Sequence, residues 1–164
     1  MILGCKYMNN IIEIEGDLLN LFELSSDIAI AHVCNCCGVM GSGIALSIKT
    51  RFPSAYDNYK KYEKDYGLTL GTISTKLFPS NRCIINLHAQ QNYGRGKQHL
   101  DYIALRFCLS KTRDVLLENN IKLFAIPHRM GSDRAGGDWN TVLKIVSEEL
   151  NELQVTVVKL LIPI

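Results

Sequence analysis

The sequence predicts an α/β fold, a mixed central sheet with helices on its faces, and three features of the 164 residues carry that prediction. Short apolar runs rich in β-branched residues alternate with longer segments of helical period. Two of those runs lead through glycine-bearing loops directly into helices. No linker, repeat or low-complexity stretch interrupts the alternation, so one domain is expected over residues 11–164, behind a short frayed lead-in at 1–10.

Taken in order, Ile11-Ile12-Glu13-Ile14-Glu15 reads as a strand, followed by Gly16-Asp17 and a turn or short helix at 18–22. The run 28–33 is apolar without a break, as in a strand buried on both faces. Gly38-Val39-Met40-Gly41-Ser42-Gly43 then forms a loop, and a helix runs from 44 to 51. Phe52-Pro53 ends it, Ser54 is placed to cap a helix over 55–66, and Gly67 stops that one. Strands at 72–78 and 83–87 flank the turn Pro79-Ser80-Asn81-Arg82. A polar loop from 90 to 98 precedes a long helix at about 100–118. A buried strand at 123–126, a second glycine-bearing loop at 127–137, a helix opened by Asp138-Trp139-Asn140 and a β-branched strand at 155–162 complete the pattern.

Composition excludes several classes. The 18 basic and 16 acidic residues give a net charge of +2, with no block of like charge to serve as a nucleic-acid arm or a membrane-binding face. Apolar residues make up 47% of the chain, yet no run approaches the length that spans a bilayer. The start offers no basic, apolar export signal ahead of Cys5, so a soluble cytoplasmic protein with reduced thiols is expected. Three of the six cysteines crowd into Cys34-Asn35-Cys36-Cys37.

Ligands of open α/β sheets bind outside the carboxyl ends of the strands. The loops 34–43 and 127–137 both leave strands there and present main-chain N–H groups close to helix starts, a geometry that holds phosphate oxygens without lysine. A phosphate-bearing small molecule spanning the two loops follows from that placement. Neither loop is a Gly-Lys-Ser/Thr phosphate loop, and no Gly-x-Gly-x-x-Gly follows the first strand. Nucleoside triphosphate and dinucleotide redox chemistry are therefore disfavoured.

Three motifs in order carry a resemblance to a known family: Gly16-Asp17-Leu18; the stretch His32-Val33-Cys34-Asn35-Cys36-Cys37-Gly38 through Gly41-Ser42-Gly43-Ile44-Ala45; and Met130-Gly131-Ser132-Asp133-Arg134-Ala135-Gly136-Gly137-Asp138-Trp139. The chain resembles the macrodomains from Ile11 to Leu161. Between Cys34 and Gly67 it is especially similar to the small ADP-ribose 1″-phosphate phosphatases. The resemblance implies a three-layer α/β/α fold and a site for ADP-ribose or ADP-ribose 1″-phosphate, with no cofactor and no metal. It implies hydrolysis of a group on the distal ribose. Phosphate is the expected leaving group; a protein side chain, an acetyl ester or a nucleic-acid end are the alternatives, as is a reader that binds without turnover. No membrane partner is implied, and nucleic acid enters only as an ADP-ribosylated substrate.

Residue by residue, the resemblance places Asp17 on the adenine amino group, with Leu18 beside it, and Asn35 on the distal ribose and its water. Gly41, Ser42, Gly43, Ile44 and Ala45 are expected to wrap the ribose and diphosphate, with Gly131, Ser132, Asp133, Arg134, Ala135 and Gly136 closing over them. Asp138 and Trp139 are assigned to helix start and packing. Asp133-Arg134 stands where the family has a small and an apolar residue, and Gln90 and Ala135 stand where one branch has a catalytic Lys and Asp. That lysine-dependent mechanism is unsupported. Hydrolysis needs a placed water and a proton acceptor, so Asn35, His32 and Asp133 are the catalytic candidates, His88 following them. A thiol or zinc protein built on Cys34-x-x-Cys37 is the rival class, but no second ligand pair with suitable spacing accompanies it.

Overall fold

In the computed structural model, which describes residues 9–161, the apolar runs pair into one six-stranded sheet in the order β1-β6-β5-β2-β4-β3. The elements are β1 (Ile11–Glu15), α1 (Leu18–Leu24), β2 (Ile28–Asn35), α2 (Gly43–Arg51), α3 (Pro53–Tyr66), β3 (Ile73–Phe78), β4 (Arg82–Gln90), α4 (Tyr102–Glu118), β5 (Leu123–Pro127), α5 (Trp139–Glu149) and β6 (Val155–Lys159). Every strand pair is parallel except the β3–β4 hairpin, so the sheet is mixed as expected.

Side-chain alternation along the strands assigns the helices to two layers. Ala29, Ala31, Ile85, Leu87, Phe124 and Ile126 face one core with α4 and α5. Ile28, Ile30, Ile84 and Ala125 face the other with Phe22 of α1, Ile48 of α2 and Ala55 of α3. Strand β2 is thus buried on both faces, which is why its sequence shows no polar alternation. Among the described residues no helix is long and apolar enough to cross a membrane.

Several boundaries differ from expectation for local reasons. Helix α3 begins at Pro53 rather than 55, because proline suits the first helical position, and no side chain caps it, so Ser54 is not the cap. Strands β2 and β4 run on to Asn35 and Gln90, carrying chain into the site through a register irregularity between Cys34 and Asn35. The fold also reaches Asn10, which was assigned to the lead-in: its amide donates to Leu150 O at 2.9 Å and Leu153 O at 3.1 Å and accepts from Ser147 Oγ at 2.7 Å. Residues 1–8 of the lead-in, and the end of the last expected strand at 162, lie outside the described residues.

A polar chain crosses the interior behind the sheet edge. His32 Nε2 lies 2.7 Å from Asn86 Oδ1, which can only accept, so that nitrogen carries the proton. Asn86 Nδ2 donates to Ser74 Oγ at 3.1 Å, Ser74 Oγ meets His88 Nε2 at 3.1 Å, and His88 Nδ1 meets Thr72 Oγ1 at 2.8 Å. Thr72 Oγ1 donates onward to Thr69 O at 2.6 Å, so His88 donates from Nδ1 and accepts at Nε2. Burial lowers the pKa of His32 to about 4 against the opposing effect of its hydrogen bond to Asn86. Burial, with His32 and Lys111 nearby, takes His88 to about 4 as well.

Both rings are therefore neutral in the folded protein but titrate near 6.5 once unfolded. A depressed folded pKa means that stability is complete above 6.5 and is lost as pH falls toward 4, by up to about 3 kcal/mol per ring. Urea midpoints measured from pH 7 down to about 4 will fall across that window. A flat profile there contradicts the assignment.

Candidate ligand-binding site

Strands β2 and β5 lie side by side, and the chain leaves them in opposite directions, β2 toward β4 and β5 toward β6. Such a switch point opens a crevice at the carboxyl edge of the sheet. A cavity of about 470 Å³ occupies it, walled by Val33, Cys34 and Asn35 with Val39 and the segment 41–45, by Gln90, Tyr93 and Gly94, and by the segments 127–131 and 133–135.

The first wall is held from within. Asn35 Oδ1 accepts from Cys37 N at 3.0 Å and Val39 N at 3.2 Å, and Nδ2 donates to Val39 O at 2.7 Å. The Tyr59 hydroxyl of α3 donates to Asn35 O at 2.6 Å from beneath. Beyond this brace, α2 begins at Gly43. Its N-cap Ser42 makes no side-chain cap bond and its first turn holds no acidic residue. The amides of Gly43, Ile44 and Ala45 therefore meet the cavity as donors uncompensated by any local side chain, beside the positive end of the helix dipole.

The second wall is a series of tight turns. Met130 N donates to Pro127 O at 3.1 Å and Ser132 N to Arg129 O at 2.8 Å, with Arg129 itself in the left-handed region at φ 63°. Arg129 Nε pairs with Asp133 Oδ1 at 3.0 Å across the loop. Ala135 O accepts from both His99 N (2.7 Å) and Leu100 N (3.0 Å), which ties the loop to the segment before α4. Gly136, at φ 72°, lies so close to that segment that a Cβ would sit 2.7 Å from Lys97 O. Ser132 Oγ is buried without a hydrogen-bond partner.

Of the residues expected at the site, Asn35, Gly41, Ser42, Gly43, Ile44, Ala45, Gly131, Asp133, Arg134 and Ala135 line this one cavity. Gly136 lines an adjoining vestibule instead, and Ser132 is buried within the loop. Asp17 and Leu18 do not line it. Asp17 Oδ1 caps α1 through Leu19 N at 2.8 Å and Asn20 N at 3.0 Å, and Leu18 is a core residue.

His32 requires a correction. It is fully buried, absent from the cavity wall and engaged by Asn86, so its position on an inward-facing β2 site makes it structural. His88 is likewise enclosed, against the rings of Tyr59 and Tyr62. The histidine that does reach the cavity is His128, directly after β5, with its ring edge-on to Trp139 at 5.4 Å. Tyr93, Gly94, His128 and Arg129 were missed as lining residues. Their only sequence signal was membership of the two polar loops.

Cys34, the first member of the Cys34-x-x-Cys37 pair, does not fit thiol chemistry. Burial raises the pKa of Cys34 well above its usual value, and burial, reinforced by Cys37, lifts Cys36 to about 11. A redox or nucleophilic thiol needs the opposite shift. Among the described residues no group of three or more His, Cys, Asp and Glu side chains could hold a metal ion.

The crevice is lined by glycines, with the start of α2 on one side and Arg129 and Arg134 among its other lining residues, an arrangement of the kind that holds phosphate groups in other folds. The Macro domain family model matches residues 31–146, and the chain belongs to that family. It is 33% identical over 130 residues to a DNA ADP-ribosyl glycohydrolase of Mycobacterium tuberculosis, a match covering 77% of this chain and 35% of that one, so it spans about a third of the relative's length. Over 56 residues it is 45% identical to an ADP-ribose 1″-phosphate phosphatase of Scheffersomyces stipitis, covering 33% of this chain and 32% of the relative. The solved macrodomain of Mycobacterium tuberculosis DarG matches with a TM-score of 0.73 at 26% identity, over 93% of this chain and 98% of that one.

The two glycines at the loop ends separate backbone conformation from crowding. At Gly43 (φ 57°) a Cβ meets nothing within 4 Å, whereas at Gly136 (φ 72°) it meets Lys97 O. Gly136→Ala should cost about 2–3 kcal/mol of unfolding free energy and Gly43→Ala about 1. Urea denaturation of the two variants tests this, and the reverse order contradicts the loop packing.

Proposed function

We propose that the cavity binds ADP-ribose 1″-phosphate and hydrolyses it to ADP-ribose and phosphate. The observation that carries the reading is one cavity bounded on both sides by glycine loops, with the first turn of α2 free of any competing side-chain cap. Both relatives named above act, by name, on ADP-ribose derivatives.

The diphosphate lies between the amides of 41–45 and those of 131–135, where main-chain dipoles offset its charge without lysine. Asn35 acts through the loop it braces: Nδ2 bonded to Val39 O leaves a second amide hydrogen for the ligand. Asp133 takes the proton from water. Its ion pair with Arg129 is exposed, with the carboxylate side chain 74% accessible, so releasing it costs little. Water attacks C1″, a new C–O bond forms, and the C1″–O bond to phosphate breaks with its electron pair on the departing oxygen. The proton passes through Asp133 to the departing phosphate, and Arg134 offsets the charge that develops there.

Phosphate release should fall at least a hundredfold in Asp133→Ala, with kcat lowered more than KM raised, while Asn35→Ala should raise KM by weakening the first wall. In heavy-oxygen water the released phosphate should carry no label. Saturable ADP-ribose binding with no turnover of the 1″-phosphate would make the protein a reader, and labelled phosphate would move the attack from carbon to phosphorus.

A further inference from the structure

The wall of the main cavity carries one carboxylate, Asp133, and two guanidinium groups, Arg129 and Arg134. Arg129 Nε donates to Asp133 Oδ1 at 3.0 Å, and this is the one ion pair among the described residues with both members on that wall. Pairs such as Arg51 with Glu23 and Arg106 with Glu148 fasten helices to one another instead. Asp133 is the group read above as the proton acceptor, so its partner stands directly beside the reaction.

Arg129 is fixed at its backbone and loose at its tip. His128 N donates to Val158 O at 2.9 Å, Met130 N donates to Pro127 O at 3.1 Å, and Arg129 O accepts from Ser132 N at 2.8 Å. The φ of 63° lies in the left-handed region, which suits glycine and disfavours a side chain. A long charged residue kept at such a position points to a role for the side chain itself. That side chain is 50% exposed and Asp133 is 74% exposed, so water screens the pair and it opens at little cost. Only Nε is engaged; neither Nη group has a hydrogen bond among the described residues. A phosphate group carries a charge of about −1.5 to −2 at pH 7. Its oxygens match the spacing of two guanidinium N–H groups, so it outcompetes a single exposed carboxylate for the arginine.

We propose that Arg129 selects substrates by their leaving group: the terminal phosphate draws the guanidinium off Asp133 and thereby frees the carboxylate to take the proton from water. The proposal rests on the hydrolytic reading of the main cavity and names the residue that makes it specific for phosphate. A substituent without charge leaves the pair closed and Asp133 occupied. With phosphate in place, Arg129 holds two of its non-bridging oxygens. The water oxygen bonds to C1″, and the C1″–O bond breaks with its electron pair on the phosphate oxygen. The proton passes through Asp133 to the departing phosphate. Once the products leave, the ion pair re-forms.

Arg129→Gly is the informative variant, because glycine suits a φ of 63° and the side chain is removed without disturbing the turn. It should lose about thirtyfold in kcat/KM for ADP-ribose 1″-phosphate, while calorimetry with ADP-ribose gives an affinity within about twofold of wild type. Hydrolysis of the acetyl ester at C1″, which has no charge to open the pair, should not fall. A second pair of variants makes recognition readable without turnover. Asp133→Asn, which stops the chemistry, should bind ADP-ribose 1″-phosphate about tenfold more tightly than ADP-ribose, and adding Arg129→Gly should abolish that preference. An unchanged kcat/KM, a parallel fall on the ester, a preference that survives Arg129→Gly, or an equal loss of ADP-ribose affinity each overturns the proposal. The last is the result that a residue shaping only the loop would give. A wild type that releases no phosphate would instead strike the hydrolytic reading, and the affinity preference would still decide whether Arg129 recognises the phosphate.

Discussion

Everything at this site depends on β2 and β5 being hydrogen-bonded neighbours from which the chain departs in opposite directions. That pairing brings two glycine loops, ninety residues apart in sequence on the order of magnitude, to the two sides of one crevice. A diphosphate gripped by main-chain amides needs donors from both sides, since each loop alone offers a few dipoles and no fixed cation in its depths. The chain's near balance of charge, +2 overall, is consistent with this economy of side-chain cations.

Rigidity behind the crevice comes from buried polar groups that satisfy one another. Cys34 is on the cavity wall, its Sγ 3.7 Å from the unprotonated His32 Nδ1, and from His32 the chain runs on through Asn86, Ser74, His88 and Thr72. Each member supplies the donor or acceptor its neighbour lacks, so the group specifies one arrangement of β2, β3 and β4 rather than several. Tyr59 adds a second anchor from α3 through its bond to Asn35 O. The loop 34–43 is therefore held by its supports, while the loop 127–137 carries an exposed Arg129–Asp133 pair and a left-handed residue at Arg129.

The alternation of apolar runs made the sheet and helices legible, because a strand buried on both faces and an amphipathic helix leave distinct periods in the sequence. The two glycine loops were legible for the same reason: both follow buried strands and precede helices. What the sequence hid is direction. His32 and Asn35 are three residues apart on one strand, and only the irregularity at Cys34/Asn35 and the length of β2 decide which enters the cavity. His128 and Tyr93 were invisible because residues in irregular loops carry no periodic signal, and Asp17 caps α1 through Oδ1, a role compatible with the ligand contact the resemblance implies.

The central claim is that main-chain amides of both loops hold the diphosphate, and backbone amide NMR tests it most directly. Titration of the labelled protein with ADP-ribose should shift the resonances of 41–45 and 131–136 together, with one saturation curve. Shifts confined to one loop, or spread over surfaces remote from both, would contradict a ligand held across the crevice.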